Sequence, residues 1–222
     1  MAAKTNPKFR RVQIPFKRRT FFQKVGGFIA RPADTFKALK GESLGKAFGY
    51  YALISLISSV VLGVLFGLAL HLLINLFSAE PDYMVLAEFL SRISTAVLIP
   101  LLIVAIYACC WIGLLLNGLI THLGVLAFAR PHKRLSETYK AMAYGATPGI
   151  FDFISLIPYL GNMFSSGLSI WSTVLEIIGL KEYHETSWGR AIAAVLVIPF
   201  ALLILILIFV IILILTAGIS LT

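Results

Sequence analysis

The chain has 222 residues, of which 59% are hydrophobic and 13% are charged, and its mean hydropathy is +0.92. Globular domains carry about a quarter charged residues, so this composition excludes a water-soluble fold and indicates a polytopic membrane protein. The net charge of +9 does not indicate nucleic-acid binding, because twelve of the 19 Lys and Arg residues precede residue 47, directly before the first hydrophobic stretch. The nearest partner there is the anionic lipid of a cytoplasmic leaflet.

Residues 1–46 form a basic segment that is rich in Phe. The alternation of cations with aromatic rings suits the headgroup layer of a membrane. Gly26, Gly27 and Pro32 predict that the segment is not one continuous helix, and Asp34 to Leu39 predicts a short helix with Phe36 and Leu39 on one face. The predicted contacts with anionic lipid are Arg10, Arg11, Lys17, Arg18, Arg19 and Lys24. A simple topology signal and a docking site for an acidic protein are the alternatives.

Residues 47–222 predict an all-α domain, a membrane bundle of five transmembrane helices. The first, second and fifth spans, at about 48–77, 96–128 and 191–217, follow from long stretches without charge. The 37 uncharged residues between Arg92 and Arg130 are too many for one straight crossing and are expected to be interrupted at Pro100, so part of this segment should tilt or lie at the interface. The apolar segment after Lys140 contains Pro158, Gly161 and Asn162, and predicts a helical hairpin with spans at about 140–159 and 162–180.

The charges of the loops predict the orientation of these spans. The N-terminal segment and the loop at 129–140 are basic, whereas the loop at 78–92 carries three acidic residues and one Arg. Lys and Arg near span ends accumulate on the cytoplasmic side. The N-terminus is therefore expected inside and the C-terminus outside.

A polar stripe on each helix of the predicted hairpin is the main candidate site. Asp152 lies near the middle of the third span, where a charge costs at least a few kcal/mol. The stripes consist of Asp152, Ser155 and Tyr159 on the third span and of Ser165, Ser169, Ser172 and Glu176 on the fourth. Counting from the turn places Asp152 level with Ser169 and Ser172. The stripes are expected to hold the two helices together, to form a proton, ion or substrate site, or to contact a partner protein.

Other residues predict packing rather than chemistry. Two GxxxG motifs, at Gly63 and Gly67 and at Gly145 and Gly149, allow close helix approach, for which another copy of the chain is one candidate partner. The four His and two Cys residues have no metal-ligand spacing, and the chain has no phosphate-binding loop, dinucleotide motif or nucleophile elbow. We therefore expect no catalytic residue, no cofactor and no metal.

The segment from Tyr139 to Pro199 resembles the core of the Yip (Ypt-interacting protein) family of five-span membrane proteins. The shared elements are the Tyr144–Pro148 start, the Pro158–Gly161 turn, Trp171, the His184–Ser187 loop and the small residues that open the last span. Residues 31–39 resemble the Pro-x-x-x-Phe element before the first span of that family. The resemblance implies a helical bundle with a cytosolic N-terminus.

Eukaryotic members of the family are linked to Rab GTPases and to traffic between endoplasmic reticulum and Golgi. This sequence lacks their acidic Asp-Leu-Tyr-Gly-Pro element and is similar to the compact prokaryotic members. The expected location is therefore a prokaryotic cell membrane, with endoplasmic reticulum or Golgi as the alternative. The expected function is a non-enzymatic scaffold or adaptor that organises membrane components or recruits a partner, and the alternative is a transporter or lipid-moving protein that uses the polar hairpin around Asp152.

Overall fold

The computed structural model describes residues 19–77, 94–130, 133–157 and 161–219. Within these ranges the chain is helical and contains no strand. Two short helices, α1 (Phe21–Ala30) and α2 (Pro32–Leu39), precede the long helices α3 (Leu44–Phe77) and α4 (Thr95–Phe128). The remaining elements are α5 (Leu135–Gly145), a 3-10 helix (Thr147–Leu156), α6 (Gly161–His184) and α7 (Trp188–Ile219).

Helices α1 and α2 fold onto one end of the bundle. Thr20 caps α1, since its hydroxyl accepts from the amide of Gln23 and the Gln23 side chain accepts from the amide of Thr20. The described part of the segment is not one continuous helix, as predicted, and the division lies before Pro32, since α1 runs through Gly26 and Gly27. A Cβ atom on Gly27 would lie 2.7 Å from the Thr35 hydroxyl, so this glycine allows α1 and α2 to pack closely.

Four helices of the described part, α3, α4, α6 and α7, are long and apolar enough to cross a membrane. Helix α4 continues through Pro100, so the expected interruption there was wrong. Pro100 is the sixth residue of this helix, so the helix lacks the hydrogen bond that an amide at this position would donate to the carbonyl of Ala96. The helix has 34 residues and is therefore about 51 Å long, more than the roughly 30 Å of the hydrocarbon core.

The segment predicted as the third span is not one α-helix. Helix α5 runs from Leu135 to Gly145, and a 3-10 helix follows from Thr147 to Leu156. Pro148 explains the change, because it lacks an amide hydrogen and disfavours α conformation in the residue before it. The two pieces together extend about 36 Å if they are collinear, since a 3-10 helix rises about 2.0 Å per residue.

The glycines of the first GxxxG motif pack inside the chain. Cβ atoms on Gly63 and Gly67 would lie 2.5 Å and 2.6 Å from the side chains of Ile103 and Ile99 of α4. The close approach predicted from the motif is therefore present, and its partner is α4 of the same chain. Gly124 forms a similar contact between α4 and α7, where an added Cβ would lie 2.1 Å from the carbonyl oxygen of Ala194.

Candidate functional site at the basic end of the bundle

One end of the bundle collects most of the polar contacts between distant parts of the chain. We call it the basic end and define it by residues 19–46, 130, 133–144 and 182–190. An ion-pair chain crosses its surface, in which the Glu185 carboxylate binds the ammonium groups of Lys40 and Lys133. These hydrogen bonds lower the pKa of Glu185 to about 2. These ion pairs join the α2–α3 connection to the loops before α5 and after α6.

A buried carboxylate, Glu42, fixes α1 to the bundle. Its Oε2 atom accepts a hydrogen bond from Lys24 Nζ at 2.6 Å and another from the Tyr144 hydroxyl. The Lys24 and Glu42 side chains are only 9% and 7% exposed. Burial alone would raise the pKa of Glu42, but the two donors and the nearby ammonium groups of Lys24 and Lys46 lower it. Glu42 is therefore held as a carboxylate.

A buried ammonium group, Lys140, fixes the α2–α3 connection. Its Nζ donates to the backbone carbonyls of Lys40 and Glu42, each at 3.2 Å, and lies 2.8 Å from the Glu137 carboxylate. It also lies 5.1 Å from the centre of the Tyr183 ring, as in a cation–π contact. The last carbonyls of a helix have no amide donor within that helix. Lys140 therefore supplies hydrogen bonds to two carbonyls at and after the end of α2.

An aromatic cluster lies beneath these polar groups. Phe28 and Phe36, which belong to the segment predicted to insert its rings into the headgroup layer, are fully buried and lie 4.8 Å apart. Phe28 stacks on Tyr144 and Phe36 meets Tyr183 edge to face. The apolar face predicted for the short helix at 34–39 is correct, but it packs against α6, so these two rings do not contact lipid. Phe22, by contrast, is 81% exposed.

A chain of side-chain hydrogen bonds connects α4, α5 and α6 at the basic end. The backbone amide of Lys133 donates to His184 Nδ1 at 3.0 Å, so the proton of the neutral ring lies on Nε2. This nitrogen is 3.0 Å from the Thr138 hydroxyl, which in turn is 2.8 Å from His122 Nδ1. His184 is fully buried, so we interpret the chain as a structural link.

The predicted lipid-contact residues fall into three groups. Arg10, Arg11, Lys17 and Arg18 lie outside the described residues. Arg19 is half-buried and its Nη1 donates to the Thr35 hydroxyl at 3.2 Å. Lys24 is a correction to the predicted set, because its ammonium is buried and paired with Glu42. The sequence does not show which acidic residue pairs with Lys24 in the fold, so this residue was interpreted as a cation on the surface.

The polar stripes of the predicted hairpin meet only in part. The Ser172 hydroxyl donates to the carbonyl of Gly145 at 3.0 Å, whereas the Ser155 hydroxyl donates to the carbonyl of Asp152 within its own 3-10 helix. The backbone of Ser155 also approaches Gly161. The Ser169 carbonyl accepts from Thr173 of its own helix.

Glu176 packs its side chain beside the backbone of Gly145, where an added Cβ would lie 2.7 Å from Glu176 Cγ. Among the described residues, Glu176 forms no salt bridge with Lys181 or Arg190. Lys181 pairs with Glu182, and Arg190 donates to the carbonyl of Arg130. Tyr159 lies outside the described residues. Among the described members of the two stripes, Ser172 and Glu176 therefore contact Gly145, and the Ser155 hydroxyl bonds within its own 3-10 helix.

Sequence reasoning missed Glu42, Lys140 and Tyr144. The available signal was an isolated acidic residue within a strongly basic segment, together with a Lys that directly precedes a run of small residues. The described residues contain no group of His, Cys, Asp and Glu that could hold a metal ion. The chemistry that the basic end offers is the binding of an anion or of an acidic surface by its exposed cations.

One of three comparisons with known proteins gives a match. Neither the curated proteins nor the solved structures include a significant match. The family model described as the Yip1 domain matches residues 26–212, which include part of α1, all of α2 and most of α7. The resemblance noted in the sequence is thereby confirmed, and the apolar helices make the chain an integral membrane protein in contact with the lipid bilayer. The chain belongs to the Yip1 domain family.

Proposed function

We propose that this protein is a non-enzymatic membrane scaffold or adaptor whose basic end engages the cytoplasmic leaflet and recruits a partner there. The observation that carries the proposal is the burial of the Lys24–Glu42 ion pair under α1. This pair and the rings of Phe28 and Phe36 fix residues 19–43 to the bundle. The basic residues before Arg19 are thus attached to a rigid platform, which suits the presentation of a binding surface.

The proposal includes five membrane crossings with a cytoplasmic N-terminus and an external C-terminus. It is supported by the surface ion pairs, because Lys40, Lys133 and Glu185 meet at one end of the bundle. A chain that leaves this end at Lys133 and returns to it at His184 along α6 must first run to the other end. The α5 and 3-10 helices provide that crossing, with a combined length of about 36 Å.

Labelling of single cysteines with a membrane-impermeant thiol reagent tests this topology. In a background without Cys109 and Cys110, Lys37→Cys and Arg134→Cys are expected to react from the cytoplasmic side, and Asp82→Cys and Asn162→Cys from the opposite side. Asn162 discriminates best, because a four-span arrangement in which residues 135–157 do not cross would put it on the same side as Arg134. Reaction of both from one side would refute the five-span proposal.

The partner function is tested by native mass spectrometry of the full-length protein, extracted in vesicles from its own membranes. We expect a partner protein at fixed stoichiometry with the wild type and its loss in the variant Arg10→Glu, Arg11→Glu, Arg18→Glu. The matched control keeps the composition of residues 1–18 but scrambles their order. Retention by the scrambled control would indicate electrostatic recruitment, and its loss would indicate recognition of the sequence.

The same experiment contradicts the scaffold role if the wild type retains no partner protein at fixed stoichiometry, or if the charge-reversed variant retains the same partner proteins as the wild type.

We propose a prokaryotic cell membrane as the location of the protein, with the endoplasmic reticulum or Golgi as the alternative. Fractionation of the source cells distinguishes these locations. The transporter hypothesis is not carried further, because two hydroxyls of the stripes, those of Ser155 and Ser172, donate to backbone carbonyls.

A further inference from the structure

A cleft between the start of α1 and the first turns of α3 has the composition of an anion site. It has a volume of about 240 Å³ and is lined by Arg19, Phe21, Lys24, Lys46, Gly49, Tyr50 and Leu53. Three of these seven residues are cations, and Glu42, which pairs with Lys24, neutralises one of them. The cleft therefore keeps about two positive charges, which suits a phosphate group.

The two remaining cations are available to a ligand. Lys46 is exposed and is one turn before Tyr50 on α3. Arg19 uses Nη1 to bind Thr35, which orients the guanidinium and leaves its other N–H groups for a second acceptor. An arginine that is oriented by a neutral hydroxyl keeps its full charge, because no carboxylate competes with the ligand.

The cleft continues into an apolar surface of the membrane-spanning helix α3. Gly49 provides space at the helix surface, since an added Cβ would meet nothing within 4 Å. Leu53, at the floor of the cleft, is followed by Leu56 and Val60 on the same face, and all three are exposed by more than 40%. A ligand with a phosphate at one end and a hydrocarbon chain at the other matches this order of surfaces.

The position along α3 agrees with this match. Lys46 lies in the first turn of the helix, and the apolar stripe begins at Leu53 about two turns later, in the order of the headgroup and acyl layers of a bilayer. The volume is below the roughly 300 Å³ of the smallest ordinary ligand pockets, so the cleft fits a headgroup and not a whole lipid.

We propose that this cleft binds the phosphate of one anionic phospholipid, whose acyl chains lie along the Leu53, Leu56 and Val60 face of α3. The site is distinct from the diffuse attraction of residues 1–18 to the leaflet, and it relies on the proposed function only for the side of the membrane. A bound lipid of this kind makes the packing of α1 depend on membrane composition.

Native mass spectrometry of delipidated full-length protein tests the site. Titration with phosphatidylglycerol is expected to give one tightly retained lipid per chain, and phosphatidylcholine a much weaker one. The variant Arg19→Gln, Lys46→Gln is expected to weaken phosphatidylglycerol binding by about tenfold or more, because it removes both free cations of the cleft. The control Lys37→Gln, Arg134→Gln removes two exposed cations outside the cleft and is expected to bind as the wild type does.

The single variant Lys46→Gln keeps the Arg19–Thr35 contact and changes only an exposed side chain of α3. It is also expected to weaken phosphatidylglycerol binding, without disturbing the fold. The charge reversal of Arg10, Arg11 and Arg18 is expected to leave the single tight lipid in place, so failure of the partner role and failure of this site are distinguishable. Equal loss in the cleft and control variants, or equal retention of the two lipids, would overturn the proposal.

Competition with soluble phosphates tests whether the bound phosphate belongs to a lipid. Inorganic phosphate and glycerol 3-phosphate are expected to compete poorly with phosphatidylglycerol, because they lack the chains that would lie on α3. Full displacement by either at low concentration would assign the cleft to a soluble anion and refute the lipid proposal. Loss of a bound protein from the cleft variant, with lipid retention unchanged, would assign the cleft to an acidic polypeptide and refute the proposal as well.

Discussion

Replacement of Glu42 by Ala is expected to release α1 and α2 from the bundle. The change leaves the Lys24 ammonium and the Tyr144 hydroxyl buried without their shared acceptor. Removing one member of a buried ion pair costs about 3–5 kcal/mol, more than removing an exposed one, because the remaining charge is not solvated. Hydrogen exchange of the amides of residues 21–39 measures the release, and these amides are expected to lose their protection while those of α3 keep it.

Two variants serve as controls for this prediction. Glu185→Gln removes the carboxylate of a surface ion pair and is expected to leave the exchange close to wild type. The double variant Glu42→Ala, Lys24→Met removes both charges and is expected to recover part of the protection, since no unpaired charge then stays buried. Unchanged exchange in Glu42→Ala would show that the ion pair does not hold α1.

Acidification provides a second readout of the same pair. The pKa of Glu42 is lowered from its ordinary value of 4.5, so the folded state binds fewer protons than the unfolded state in this region. The stabilisation is fully present above about pH 4.5 and is lost as the pH falls through the folded-state pKa. The wild type and Glu185→Gln are expected to lose protection of residues 21–39 in acid, whereas Glu42→Ala should show no such transition.

Replacement of Gly124 by Val is expected to separate α4 from α7. A Cβ atom at this position would lie 2.1 Å from the carbonyl oxygen and 2.9 Å from the Cα atom of Ala194, and a backbone cannot move aside as a flexible side chain does. Overpacking of this kind costs about 1–3 kcal/mol or more. Thermal unfolding in detergent, followed by intrinsic Trp fluorescence, is expected to occur several degrees lower than in the wild type.

Gly113→Val is the matched control, because it places the same side chain on the same helix. An added Cβ at Gly113 meets nothing within 4 Å, and Val has a higher helix propensity than Gly. We expect its unfolding temperature to equal or slightly exceed that of the wild type. Equal destabilisation by the two substitutions would mean that the α4–α7 contact is not as close as described.

The membrane class and most of the long helices could be predicted from the sequence because they depend on local composition. A run of apolar residues such as Ala201–Leu215 forms a helix in a bilayer whatever its neighbours are, since its backbone groups have no other partners. The same reasoning failed between Gly145 and Leu156, where Pro148 changes an α-helix to a 3-10 helix. It also predicted an interruption at Pro100, although the helix continues through this residue.

The basic end could not be predicted, because its contacts join residues that are far apart in the sequence. Lys24 and Glu42 are 18 positions apart, and Glu42 and Tyr144 are 102 apart, so no periodicity relates them. A cation count assigned Lys24 to the membrane surface, although a carboxylate and two tyrosine rings surround it within the fold. Likewise the motif at Gly63 and Gly67 indicated a close approach but could not name α4 as the partner.

The second half of α7 stands apart from the rest of the bundle, since every residue from Ala201 to Thr216 is exposed. In water such a surface would cause aggregation, but in a bilayer the acyl chains solvate it. Its side chains do not have to fit a particular neighbour within the described chain, so only their apolar character is constrained. This part of the helix can therefore change its sequence freely among Leu, Ile, Val and Phe, whereas a single methyl group at Gly124 on the adjacent helix cannot be accommodated.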